Sequence, residues 1–212
     1  MRLFFWLVCC LFTAGTSAQF GSGIYYNLNR LSAPDLPSRV DIADFDVYNA
    51  AELALYYWFR LPKQRVEFQP SVYYAHDLGE TVANTSEVGF QFKTNIYVFD
   101  LGTDCHCPTF GKQGPQLQKG FFVQLSPGVA NGRYLGQDRR TVATLGAGIG
   151  LDIGISNLAT ITPLLAYRHT LSSAANAAWT DDDGSTLTDV SFRRNTFQLG
   201  LQATFRLDRR NY

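Results

Sequence analysis

The sequence predicts an all-β protein: an eight-stranded antiparallel up-and-down transmembrane β-barrel that follows an N-terminal signal peptide. Three observations predict it. The chain opens on a short apolar export signal, the segments after it alternate between apolar and polar residues, and the connections between those segments alternate between long and short.

The opening "MRLFFWLVCCLFTAGTSAQ" has a basic start at Arg2, ten apolar residues from Leu3 to Phe12, and small residues at Thr16, Ser17 and Ala18. A secretory signal has this pattern, and ten residues are too few for a helix that spans a bilayer. The expected division is therefore 1–18 as signal peptide and 19–212 as one barrel domain. Cleavage after Ala18 removes Cys9 and Cys10, leaving Cys105 and Cys107 of the four cysteines, which excludes a disulfide-stapled miniprotein. The 18 basic and 18 acidic residues balance with no basic block, so nucleic acid is not an expected partner.

The strands follow in order. "SGIYYNLNRL" is the first. "FDVYNAAELALYYWFR" sets Ala51, Leu53, Leu55, Tyr57 and Phe59 against Glu52, Tyr56 and Arg60. "VEFQPSVYYAH" sets Val66, Phe68, Pro70, Val72 and Tyr74 against Glu67, Gln69, Ser71 and Tyr73. "EVGFQFKTNIYVF" sets Val88, Phe90, Phe92 and Ile96 against Glu87, Gln91, Lys93 and Asn95. "GFFVQLSPGVA" sets Phe121, Val123, Leu125 and Val129 against Gln124, Ser126 and Gly128. "TVATLGAGIGLDIG" sets Leu145, Ile149, Leu151 and Ile153 against Thr144, Gly148 and Asp152. "ATITPLLAYRHTL" sets Ile161, Leu165 and Tyr167 against Thr160, Thr162 and Arg168. "NTFQLGLQATFRLD" closes the set, with Phe197, Leu199, Leu201, Phe205 and Leu207 against Gln198, Gln202, Thr204 and Arg206. Period-two alternation is the mark of a strand between two unlike environments.

Alternation does not by itself say which face points inward; a soluble lipocalin-like barrel would reverse the two. The polar face is Gly, Thr, Ser, Gln and Asn with isolated charges of both signs, unlike a solvated surface. Aromatics gather at strand ends, in Tyr57-Trp58-Phe59, Tyr73-Tyr74 and Tyr97 to Phe99, where an interfacial girdle is expected. Counting back from the last strand, residues 172–192, "NGRYLGQDRR", "HDLGETVANTSE" and "SAPDLPSRVDIA" fall outside, while "ISN" and "LPKQR" are tight inner turns. One connection breaks the rule: 101–119 is long, yet falls on the periplasmic side.

On these residues, the signal Met1 to Ala18 and eight alternating segments ending in Thr196 to Leu207, the chain resembles the small eight-stranded outer-membrane β-barrels of the OmpX, OmpA-transmembrane and PorT-like type. Its aromatic- and asparagine-rich style suggests Bacteroidota. The resemblance implies the bacterial outer membrane as location, with membrane lipid, lipopolysaccharide and the barrel-assembly machinery as partners. It departs from such barrels in its last residues, "DRRNY": the terminal aromatic is Tyr212, or Phe205 serves internally.

An eight-stranded barrel is just wide enough to be filled by its own side chains. The expected inward charges are Glu52, Glu67, Glu87, Lys93, Asp152, Arg168 and Arg206. Buried charges must be paired, so mixed signs predict a network that seals the lumen. The expected function is structural or interactive, through the outer loops and the periplasmic loop; the alternatives are a narrow porin or a lipid-modifying enzyme. For an enzyme, His169 with Ser172 and Ser173 would be the candidate group, but a nucleophile and base need an orienting acid and none is fixed nearby. Neither catalytic residues nor a cofactor are expected. "TDDDG" at 180–184 has contiguous acids rather than calcium-loop spacing.

That leaves Cys105-His106-Cys107. A structural zinc site needs four ligands, and the other histidines, His76 and His169, belong to the opposite rim, so no metal site is expected. The two thiols are expected to form either a strained disulfide, readily reduced and fit for exchange, or a link to a partner. The 101–119 loop either docks a periplasmic protein or is a tolerated insertion.

Overall fold

The computed structural model describes residues 19–32, 47–60, 65–79, 85–99, 120–133, 139–156, 159–171, 175–180 and 186–206, with backbone only at 60, 175–180, 186–192 and 206. The strands are β1 (Gln19–Ser32), β2 (Val47–Tyr57), β3 (Phe59–Arg60), β4 (Val66–Asp77), β5 (Ser86–Ile96), β6 (Phe121–Arg133), β7 (Arg140–Leu151), β8 (Ile153–Gly154), β9 (Ala159–Thr170), β10 (Ala175–Thr180) and β11 (Thr186–Arg206).

They make eight staves. β3 continues β2 past Trp58, because Phe59↔Phe68 follows Tyr56↔Ser71 in one register along β4. β8 continues β7 past Asp152 in the same way, Ile153↔Ile161 following Gly150↔Leu164 on β9. All pairings are antiparallel between sequence neighbours, except that β11 turns back to pair β1 from Gln19↔Arg206 to Ser32↔Arg193. That last ladder closes the sheet, so the fold is an eight-stranded antiparallel up-and-down barrel.

Alternation decides the two faces. In β2 the pattern runs exposed, buried, exposed throughout, with Leu55 65% exposed and Glu52 1%. Every stave carries a large apolar side chain outward: Ile24, Leu55, Val72, Phe90, Leu125, Ile149, Leu165 and Leu199 are all exposed. An apolar band running right round a monomer is incompatible with water, since soluble proteins rarely expose contiguous apolar patches of more than a few hundred Å². The interior is instead polar. Apolar outside and polar inside, on an even number of closed strands, is the arrangement of a transmembrane barrel of the bacterial outer-membrane type. Among the described residues no helix is long and apolar enough to cross a membrane; the strands cross.

The end of the barrel carrying β10 is termed the outer end, and the end carrying the 155–158 turn the inner end. Residues 172–192, expected as a loop, instead contain β10 and the start of β11, paired from Ala175↔Phe192 to Thr180↔Thr186. The small polar composition of this segment hid a strand pair that prolongs the last two staves, β10 beyond β9 and the start of β11 opposite it. Strand direction puts both ends of the 97–120 connection at the inner end, beside the two short turns.

The expected girdle is corrected at three positions. Tyr73, Tyr97 and Trp58 are buried, at 3%, 0% and 7% exposure, and face the lumen; their neighbours Tyr74, Phe99, Tyr57 and Phe59 face outward. Consecutive residues of a strand cannot share a face, so each aromatic cluster is split between the two. The outward rings form a ladder near the inner end, Phe20–Tyr57–Phe59–Phe68–Phe92, with centroids 5.5, 6.1, 5.4 and 5.5 Å apart in turn.

The inward tyrosines explain two of the glycines on the polar face. A β-carbon on Gly200 would lie 2.2 Å from Tyr25 Cδ1, and one on Gly89 would lie 2.4 Å from Tyr73 Cε1. The rings lie flat over these neighbouring backbones, a packing that only glycine allows.

The expected signal peptide 1–18, the expected loop 101–119 with Cys105 and Cys107, Ser172, Ser173, Asp181 to Asp183 and Tyr212 lie outside the described residues.

Candidate functional site

The inward faces of the staves bring distant charges together inside the barrel. Glu52 of β2, Glu67 of β4, Glu87 and Lys93 of β5, Asp152 at the β7–β8 junction and Arg168 of β9 are all buried in the lumen. Arg206 has the parity of Gln202 and Thr204, and its backbone pairs with Gln19; its side chain is not described.

Near the outer end, Arg168 bridges two carboxylates. Its Nη2 lies 3.1 Å from Glu52 Oε2 and 3.7 Å from Glu87 Oε1. Glu87 is also paired with Arg194 of β11 through Oε2. Two guanidiniums thus meet two carboxylates, and this part of the lumen is locally neutral. Hydrogen bonds add to the network: Asn27 Nδ2 and Gln198 Nε2 donate to Glu52 Oε2 at 2.9 and 3.0 Å, and Tyr73 Oη donates to Glu87 Oε1 at 2.6 Å. The Arg168 guanidinium stacks over the Tyr73 ring at 4.7 Å from its centre, a cation–π contact that is strongest out of water. Charges placed in a dry interior interact far more strongly than in water, but only well-made pairs repay their lost hydration.

At mid-height Lys93 Nζ donates to Tyr25 Oη at 2.9 Å, and Gln202 Nε2 donates to the same oxygen at 2.7 Å. Towards the inner end Tyr97 is the hub. Its hydroxyl, with one proton to give, lies 2.9 Å from Glu67 Oε2 and 2.6 Å from Asp152 Oδ2, and Asp152 Oδ1 also accepts from Thr162. Phe122 packs on the Tyr97 ring at 5.5 Å, and Gln124 Nε2 donates to Asn95 Oδ1 at 2.8 Å.

Sequence reasoning missed Arg194 because it began the last strand one residue later, at Asn195. Extending the parity of Gln198 and Thr196 one step upward finds it. It also missed the tyrosine hydroxyls as partners: alternation put Tyr73 and Tyr97 on the polar face, but their clusters suggested a girdle.

The residues weighed for catalysis stand elsewhere. His169 lies on the outward side of β9, half-buried, its Nδ1 2.6 Å from Asn195 Oδ1, which also accepts from Tyr167 Oη at 2.9 Å. His76 faces outward and stacks on Tyr74, with ring centroids 6.3 Å apart. Among the described residues, no three His, Cys, Asp or Glu side chains converge as metal ligands.

No protein-family model matches the chain, and no curated protein does. Solved structures do align with it. Neisserial surface protein A is similar over 86% of this chain and 95% of its own, at 10% identity and a TM-score of 0.49. Outer membrane protein OprG from Pseudomonas aeruginosa covers 90% of this chain and 97% of its own at 12% identity, with a TM-score of 0.42. Ail, the attachment invasion locus protein of Yersinia pestis, covers 90% of this chain and 100% of its own at 13% identity, with a TM-score of 0.37.

Proposed function

We propose that this chain is an outer-membrane protein with a sealed lumen, non-enzymatic, that acts as a structural or interaction element through the connections at its outer end. The observation that carries this reading is how completely the lumen is filled. Arg168, Gln91, Gln124, Gln202, Glu52 and Tyr97 each expose less than 2% of their surface, and they bar the axis at several heights. Among Asn27, Tyr48, Glu87, Arg168 and Arg194 lies a cavity of only about 10 Å³, at or below the room a single water needs. A conducting pore would need a continuous aqueous path, and opening one here would strip buried charges of their partners.

The decisive measurement is conductance of the refolded protein in planar lipid bilayers. A silent protein at moderate voltage is the expected result. Steady ohmic conductance would replace this reading with that of a narrow porin.

A further inference from the structure

We infer that the small cavity at the outer end of the lumen is a binding site for one water molecule, held between Arg168 and Tyr48 as part of the ion-pair network. The inference deepens the sealed reading of the lumen and rests on it. The cavity has a local cause. Ala50 of β2 and Ala75 of β4 are buried on the lumen side among Asn27, Tyr48, Glu87 and Arg168. Their methyl groups fill less of the cross-section than the long side chains around them. A cavity of about 10 Å³ is left, the room of one water.

Unmatched polar atoms point to an occupant. Tyr48 is 4% exposed, and its hydroxyl has no hydrogen-bond partner among the described residues. Arg168 is 2% exposed; its Nη2 faces the carboxylates of Glu52 and Glu87, whereas Nε and Nη1 have no such partner. Glu52 shows the same imbalance. Its Oε2 accepts from Asn27, Gln198 and Arg168, and its Oε1 from none of the described residues. Buried donors and acceptors are nearly always matched, by protein or by ordered water, because leaving one bare forfeits its hydration.

The chemistry of the set selects water over an ion. It contains N–H donors on Arg168, an acceptor on Glu52 and a tyrosine hydroxyl that can do both. An anion only accepts, and it would sit beside Glu52 and Glu87. A cation would sit against the Arg168 guanidinium. Water accepts from Arg168, bonds the Tyr48 hydroxyl, and keeps a hydrogen for the carboxylate of Glu87, which has lone pairs beyond those used by Tyr73 and Arg194. Three partners are usual for a buried water. The plug at the outer end is then built of protein and water together.

A crystal structure of the full chain, at a resolution that shows ordered water, tests the site directly. One isolated peak within hydrogen-bond distance of Tyr48 Oη and of Arg168 Nε or Nη1 is expected. A dry cavity, with those atoms turned onto protein acceptors, overturns the site and leaves the seal standing. A continuous file of water from the cavity to the inner end overturns the seal, and the site with it. Tyr48→Phe gives an independent reading by urea unfolding of the refolded protein in phospholipid vesicles, since the ring stays and only the hydroxyl is lost. With water bound to it the hydroxyl stabilises the fold, so its loss should raise the unfolding constant about fivefold. Without water the hydroxyl is an unmatched buried group, and removing it leaves the constant unchanged or lowers it. That second result overturns the site.

Discussion

The outer and inner halves of the lumen solve the same problem with different chemistry. Both bury polar side chains inside the barrel. The outer half does so with ion pairs, Arg168 between Glu52 and Glu87, and Arg194 on Glu87. The inner half uses neutral donors on carboxylates, Tyr97 on Glu67 and Asp152, with amide and ring packing around them. The contrast teaches that the polar-in rule of the barrel sets the kind of residue required, while the local partners decide how much each one matters. Ion pairs concentrate the energy in a few groups, whereas tyrosine and amide contacts spread it thinly.

Three substitutions probe that contrast, and urea unfolding of the refolded protein in phospholipid vesicles reads all of them. Arg168→Ala leaves Glu52 and Glu87 short of their shared cation and should cost about 3–5 kcal/mol. Combining it with Glu52→Gln should cost less than the sum of the single losses, since neighbours in one network couple. An additive result would dissolve the claim that the outer half is one unit.

Tyr97→Phe keeps the ring on Phe122 and removes the hydroxyl, with an expected loss of about 1–3 kcal/mol as buried acceptors lose their donor. A loss as large as that of Arg168→Ala would erase the difference between the halves. The smallest effect is expected from Tyr56→Phe. Its hydroxyl lies 2.9 Å from Thr204 Oγ1 and 3.3 Å from Ala203 O, so removing it breaks neutral contacts only, at about 0.5–1.5 kcal/mol.

Much of this barrel can be read directly in the residues. The eight staves and their faces follow from alternation, because a closed sheet between lipid and a polar core punishes any slip by reversing every side chain. The lumen side of Glu52, Glu67, Glu87, Lys93, Asp152 and Arg168 follows in the same way. Height does not. Glu52 and Arg168 are 116 residues apart, and whether they meet depends on the stagger of staves around the whole barrel, which no local pattern encodes. The tyrosines show a second limit. Aromatic clustering suggested a girdle, but Tyr73 and Tyr97 sit on the parity of lumen residues, and period two overrides composition. The β10–β11 hairpin shows a third, since its small polar residues carry turn chemistry while its backbone is paired.

The closure of the barrel has a kinetic consequence. Every ladder but one joins strands that follow each other along the chain, so hairpins can zip in order at low entropic cost. The ladder of β1 with β11 is different: its outermost partners, Gln19 and Arg206, come from opposite ends of the described chain, and no hairpin brings them together. Until it forms, the sheet is an open ribbon with two bare edges, each offering a full row of unmet donors and acceptors that lipid cannot satisfy. The meeting of the first and last staves is therefore the step expected to be slowest, because it alone closes a loop of nearly the whole described chain.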